Sequence, residues 1–213
     1  MPLLLVHGGC HGAWCWERVL PLLPGASAVE LPDRGGAVAA VLAAIDEPVV
    51  LVGHSLGGMT ISAMAEAAPE KVSRLVYLSA LLPADGESAA TIPVPPLGAN
   101  AATRLEGEWT SLDPEAAVPV FYQDCDAATI AWALQRLRPT HLDAITTPAR
   151  LGEAFASVPK TYIYCAQDRA IQPEAQQAMV ARCPGIDTLA LDSGHSPFLS
   201  MPEQLAAILR GIG

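Results

Sequence analysis

The chain has 213 residues, 51% of them hydrophobic and 16% charged, with a formal net charge of -10 and a pI near 4.8. That length suits one domain, 1–213. The apolar share supports a large core and excludes a disordered chain. The acidity repels phosphate backbones and anionic lipid, so neither nucleic acid nor a membrane surface is expected as a partner.

In chain order, 3–6 reads as a buried strand that stops at Gly8-Gly9. The opening residues lack the basic region and the length of a signal peptide, and no run reaches the roughly 18 apolar residues of a membrane span, so a cytoplasmic location is expected. Residues 13–23 carry near-helical apolar spacing up to Pro24-Gly25, 26–31 reads as a second strand, 32–36 as a turn and 37–45 as an alanine-rich helix. A fully apolar strand follows at 49–52, then a turn at 53–58, a helix at 59–68 ended by Pro69, and a strand at 75–78. Strands apolar on both faces, alternating with helices, predict an α/β fold. Its sheet should be mostly parallel, of about six strands, with helices on both faces.

The rhythm breaks over 83–119, which is rich in Pro, Ala, Gly and Ser, and a helical-looking piece follows at 126–137. Because Trp109, Phe121, Tyr122 and Trp132 fall here, an ordered helical lid is expected over about 83–155 rather than disorder. Trp109, Phe121, Trp132 and Leu81 are candidates for pocket walls, although core packing is the commoner fate of such side chains. Alternation resumes with a strand at 161–165, a helix at 173–182, a strand at 187–191 and a helix at 203–209. The five cysteines form no C-x-x-C pair, and the histidines do not cluster with them at zinc spacing. No disulfide framework, metal or cofactor is expected.

The strongest motif is Gly53-His54-Ser55-Leu56-Gly57, followed by Gly58, between an apolar strand and a helix. It matches G-x-S-x-G in the strand–turn–helix context where that pattern lifts a serine hydroxyl clear of the sheet. Alone, the pattern also fits a glycine turn with a serine helix cap. A serine hydroxyl needs a base. His195, after the strand at 187–191, is the candidate, and Asp168, after the strand at 161–165, is the acid expected to orient it. Asp192, three residues from His195, is the rival carboxylate, with Asp124 and Asp126 weaker. His54 is expected to point away from Ser55 and pack locally. Gly9 and Leu56 would donate their N–H groups to an oxyanion, as in the His-Gly-Gly loops of esterases.

The stretch His7-Gly8-Gly9-Cys10-His11-Gly12-Ala13-Trp14-Cys15-Trp16 resembles the opening of the plant methylesterase and hydroxynitrile lyase family and its bacterial relatives. So do 53–58, Phe121-Tyr122-Gln123-Asp124-Cys125, 162–168 and Gly194-His195. The resemblance covers nearly the whole chain. It implies an α/β-hydrolase fold with a helical lid, a triad of Ser55, His195 and Asp168, and Gly9 and Leu56 as oxyanion donors. Lyases of that family carry Thr after the first-loop His and Lys after the catalytic His. Gly8 and Ser196 stand there in this chain, which implies ester hydrolysis and not cyanohydrin cleavage. The connection at 31–37 is short for the family, and the chain opens on the strand that relatives number third. Both imply a reduced sheet and a more open pocket on that side. The expected partner is a small or medium apolar carboxylic ester, with a homodimer left open. A lyase or cyclase on the same fold, or a ligand-binding protein with a vestigial triad, remains the alternative.

Overall fold

Leu3–Val6 (β1) sends alternate side chains into two separate cores. Leu3 and Leu5 join a cluster with Trp16, Leu205 and Leu209, while Leu4 and Val6 join one with Val41, Ile61 and Met64. That period of two is the pleat of a strand whose two faces are both covered. The structure, a computed structural model, describes residues 1–212; residue 213 lies outside them.

Five more strands of the main sheet are Ser27–Val29 (β2), Val49–His54 (β3), Val72–Leu78 (β4), Lys160–Cys165 (β8) and Asp187–Leu191 (β9). All pair in parallel, in the order β2-β1-β3-β4-β8-β9. Six parallel strands, the central four covered on both faces and the edge strands β2 and β9 largely exposed, agree with the sequence expectation of a mostly parallel sheet. Helices Ala37–Ala43 (α1), Gly57–Ala67 (α2) and Pro173–Val180 (α8) cover one face, and Pro202–Ile212 (α10) with the turns after β1 covers the other. Strand order reverses at β1: the chain steps outward to β2, then back past β1 to β3. The loops leaving β1 and β3 therefore meet at the carboxyl ends of the strands, the end where open α/β sheets place ligands.

Two expectations change. Residues 13–23 form two short 3₁₀ turns, Ala13–Trp16 and Leu20–Leu22, instead of one helix. Pro21 has no N–H to continue an α-helical ladder. The stretch 83–119, read as irregular, contains regular elements. Ala99–Ala102 (α3) leads into Thr103–Glu106 (β5) and Trp109–Leu112 (β6), and Pro114–Phe121 (α4) follows. Thr140–His141 (β7) completes a three-stranded antiparallel sheet. The helices Ala127–Leu134 (α5), Asp143–Thr146 (α6) and Glu153–Ser157 (α7) make up the rest of this insertion between β4 and β8, and Pro197–Ser200 (α9) lies beyond it. Asp113 caps α4 by accepting the Glu115 and Ala116 N–H groups, and Asp126 caps α5 through Thr129 N–H at 2.7 Å.

Among the described residues no helix is long and apolar enough to cross a membrane. The five cysteines are free.

Helix α2 is pressed onto the chain that leaves β4. A Cβ at Gly58 would sit 2.0 Å from the Leu81 carbonyl oxygen. Neither backbone can retreat without unpacking the core, so Gly58→Ala should cost about 3 kcal/mol. A urea denaturation midpoint equal to that of the parent would contradict this.

Candidate active site

Ser55 sits where β3 turns into α2, in the left-handed region at φ +54°. For a residue with a Cβ that conformation costs on the order of 1–3 kcal/mol. Surrounding bonds hold it: Ser55 N–H donates to Leu78 O at 3.4 Å, and Ser55 O accepts from Gly58 N at 3.1 Å and Leu81 N at 3.0 Å. The loop after β1 is seated directly on this turn. A Cβ at Gly8 would meet the Ser55 Cβ at 2.8 Å, and one at Gly57 would meet the His7 carbonyl oxygen at 2.7 Å. Glycine on both sides is what lets the two loops touch.

That contact brings Gly9 beside Leu56: a Cβ on Gly9 would lie 3.1 Å from Leu56 Cδ2. Among the described residues neither the Gly9 nor the Leu56 N–H donates a hydrogen bond. The peptide carrying the Gly9 N–H is oriented by its own carbonyl, Gly8 O, which accepts from His7 Nδ1 at 2.8 Å. In a trans peptide the N–H then points the opposite way. His11 Nδ1 donates to Gly9 O at 2.7 Å and its Nε2 accepts from Tyr122 Oη at 2.7 Å.

His195 lies in the loop after β9 and Asp168 in the loop after β8, both fully or almost fully buried. His195 Nδ1 donates to Asp168 Oδ2 at 2.6 Å. Ser79 Oγ donates to the same oxygen, and Oδ1 accepts from Ala170 N at 2.7 Å and Ile171 N at 3.0 Å. Asp168 is thus saturated with donors, and His195 Nε2 is left buried with no partner, Ser55 included. Contacts of that kind often close only around substrate.

His54 packs among Trp16, Phe198 and His195, its ring 4.5 Å from that of His195, and its Nε2 donates to the His195 carbonyl at 2.8 Å. The rival acids have other partners. Asp192 accepts from Gln167 Nε2 at 3.0 Å, Asp126 caps α5, and Asp124 Oδ2 accepts from Gly194 N at 2.7 Å and Ser200 Oγ at 2.9 Å, which fixes the loop carrying His195. Of the aromatic candidates, Phe121 reaches the site, edge-on to His195 at 5.2 Å. Trp109 packs on His141, Trp132 on Trp14, and Leu81 is buried in the core on the α2 side.

The sequence profile of the alpha/beta hydrolase family matches residues 3–208. The chain belongs to that family. Among relatives of this alpha/beta hydrolase, Methylesterase 1 of Arabidopsis thaliana is 30% identical over an alignment of 243 positions covering 95% of this chain and 92% of the relative. A pyrethroid hydrolase of Sphingobium wenxiniae is 30% identical, covering 96% of this chain and 84% of the relative. The crystal structure of a pyrethroid hydrolase from Sphingobium faniae superimposes with a TM-score of 0.88 at 26% identity, covering 100% of this chain and 96% of that one.

Sequence reasoning missed four residues of the hydrolase's site. Ser79 has the clearest signal available: it ends a strand beside the elbow, where a lone hydroxyl among apolar residues is out of place. His7 and His11 brace the glycine loop locally and are tied in turn to Leu31 N and Tyr122 Oη, partners that local sequence does not show.

Burial also sets the charge state of His11 and His54. Desolvation, chiefly, lowers His11 to about 4 and holds His54 well below its ordinary range. Both are neutral in the folded chain and take up protons once unfolded. Stability tied to them is complete above about pH 6.5 and is lost as pH falls toward 4. His11 alone should remove about 2 kcal/mol between pH 7 and pH 5. Urea midpoints measured across that interval should fall; a flat profile would refute the assignment.

Proposed function

We propose that this alpha/beta hydrolase cleaves carboxylic esters through an acyl-enzyme, with Ser55 as nucleophile, His195 as base and Asp168 as its orienting acid. The observation that carries the reading is the Asp168–His195 contact of 2.6 Å, which fixes the proton on Nδ1 and leaves Nε2 as a free base. Ser55 Oγ attacks the ester carbonyl as its proton passes to Nε2. The unpaired Gly9 and Leu56 N–H groups, the latter at the start of α2, receive the negative charge on oxygen. On collapse the C–O bond to the alcohol breaks, and the leaving oxygen takes the proton from Nε2. Water then attacks the acyl carbon, gives a proton to Nε2, and Ser55 regains its hydrogen as the acid departs.

Relatives named methylesterase and pyrethroid hydrolase support ester cleavage. Ser196, in the position where lyases of the related plant group carry lysine, brings no cation to the site. The insertion between β4 and β8 serves as the lid, with Phe121 as its contact on the base.

A fluorophosphonate probe followed by peptide mapping tests the reading. The adduct is expected on Ser55, together with loss of p-nitrophenyl acetate hydrolysis. Intact labelling of another residue, or no labelling and no turnover across a panel of methyl and acyl esters, would overturn it.

A further inference from the structure

A cavity of about 590 Å³ opens beside the β1 loop and not over Ser55. Its walls include Gly9 and Leu56, then Thr60 one turn further along α2, Ala39 from α1, and His141 and Ala144 from the insertion. Ser55, Asp168 and His195 are absent from those walls. The volume falls in the range of sites that enclose medium-sized ligands.

This space lies where the connection from β2 to α1 is short, and the connection is held in place. Arg138 donates to the Leu31 carbonyl at 2.7 Å and to the His11 carbonyl at 3.1 Å, and Arg34 lies 3.6 Å from the Asp143 carboxylate across to the insertion. A tethered rim of this kind makes a shaped cavity and not a gap left by a loose loop.

One polar wall residue points to an occupant. His141 is 2% exposed, and its Nδ1 accepts the Asp143 N–H at 3.2 Å, which puts the ring proton on Nε2. The Asp143 carboxylate also lies 3.2 Å from Nδ1. Nε2 is buried without a hydrogen-bond partner; the Glu108 carboxylate, at 3.6 Å, is beyond hydrogen-bond reach. A buried donor left unmatched is destabilising, a cost that an acceptor on a ligand would remove.

The geometry points to this cavity as the subsite for the acyl arm of the ester: a bulky, mainly apolar carboxylic acid that carries a hydrogen-bond acceptor. This rests on the serine-esterase reading above. In that reading the carbonyl oxygen faces the Gly9 and Leu56 N–H groups, and the leaving oxygen must face His195 Nε2. The alcohol is therefore drawn to the His195 side. The arm that runs past Gly9 and Leu56, away from His195, is the acyl group.

Ala39→Trp and Ala144→Trp fill the cavity from exposed wall positions, so neither burdens the core. Wild type and both variants are compared on p-nitrophenyl acetate, p-nitrophenyl phenylacetate and benzyl acetate. The expected result is a loss of about tenfold or more in kcat/KM on the phenylacetate alone, with both acetates within about two-fold of wild type. Wild type is expected to prefer p-nitrophenyl 4-methoxyphenylacetate over phenylacetate and His141→Phe to remove that preference; no preference in wild type, or one that survives in His141→Phe, would overturn the role of His141. Equal changes on all three esters, or a loss that follows benzyl acetate, would overturn the acyl assignment while leaving the esterase reading intact. No hydrolysis of any ester by wild type would remove the reading and the subsite together.

Discussion

Ser55→Ala is expected to lower kcat for ester hydrolysis by about 10⁴-fold or more, with KM little changed. Removing one oxygen leaves no atom to form the acyl-enzyme, while the N–H groups of Gly9 and Leu56 still hold a carbonyl. Residual activity should come only from those groups and from binding. The same position offers a control on folding. Because φ is +54° at Ser55, glycine relieves the left-handed strain that alanine retains. Ser55→Gly should be as inactive as Ser55→Ala yet more stable by about 1 kcal/mol, read from urea midpoints. An alanine variant with full turnover would remove Ser55 from the mechanism.

Asp168→Asn comes next in size, with kcat expected to fall about 10⁴-fold. Every group around this carboxylate is a donor: His195 Nδ1 and Ser79 Oγ on Oδ2, the Ala170 and Ile171 N–H groups on Oδ1. An amide must put its NH₂ on one side or the other. Facing Ala170 and Ile171, it sets donor against donor in a buried site. Facing His195, it forces the ring proton onto Nε2, and the ring can no longer accept a proton from Ser55. Both arrangements also destabilise the fold, by an expected 2–3 kcal/mol. Activity of Asp168→Asn within tenfold of the parent would show that the acid lies elsewhere, with Asp192 the first to test.

The strands were legible because they are apolar on both faces and short, and the elbow because its glycines sit between such a strand and a helix. The hairpin of β5 and β6 was not. Its turn is Gly107-Glu108, with Gly107 at φ +62°, and its strand β5 is exposed throughout. A strand without a buried face has no apolar alternation to read; Glu106-Gly107-Glu108 between Leu105 and Trp109 was the remaining signal. Pro119 obscured α4, because a proline inside a helix reads as a stop, yet the Asp113 cap and packing of Ala117 and Phe121 hold the helix around it.

Local sequence was enough to determine the α/β class, the parallel sheet and the three residues Ser55, Asp168 and His195 as candidates, since each follows a recognisable strand and chemistry of that type needs those groups. Tertiary structure decided what joins them. Ser79 on Asp168, His54 on the His195 carbonyl and Tyr122 on His11 are contacts between segments far apart in the chain, made by single polar atoms. Periodicity reports which face of an element is buried, whereas a hydrogen bond between two loops depends on where the sheet order sets their ends. The cavity beside Leu56 has the same origin: a short connection foretold room on that side, and only the packing of α1, α2 and the insertion gave it walls.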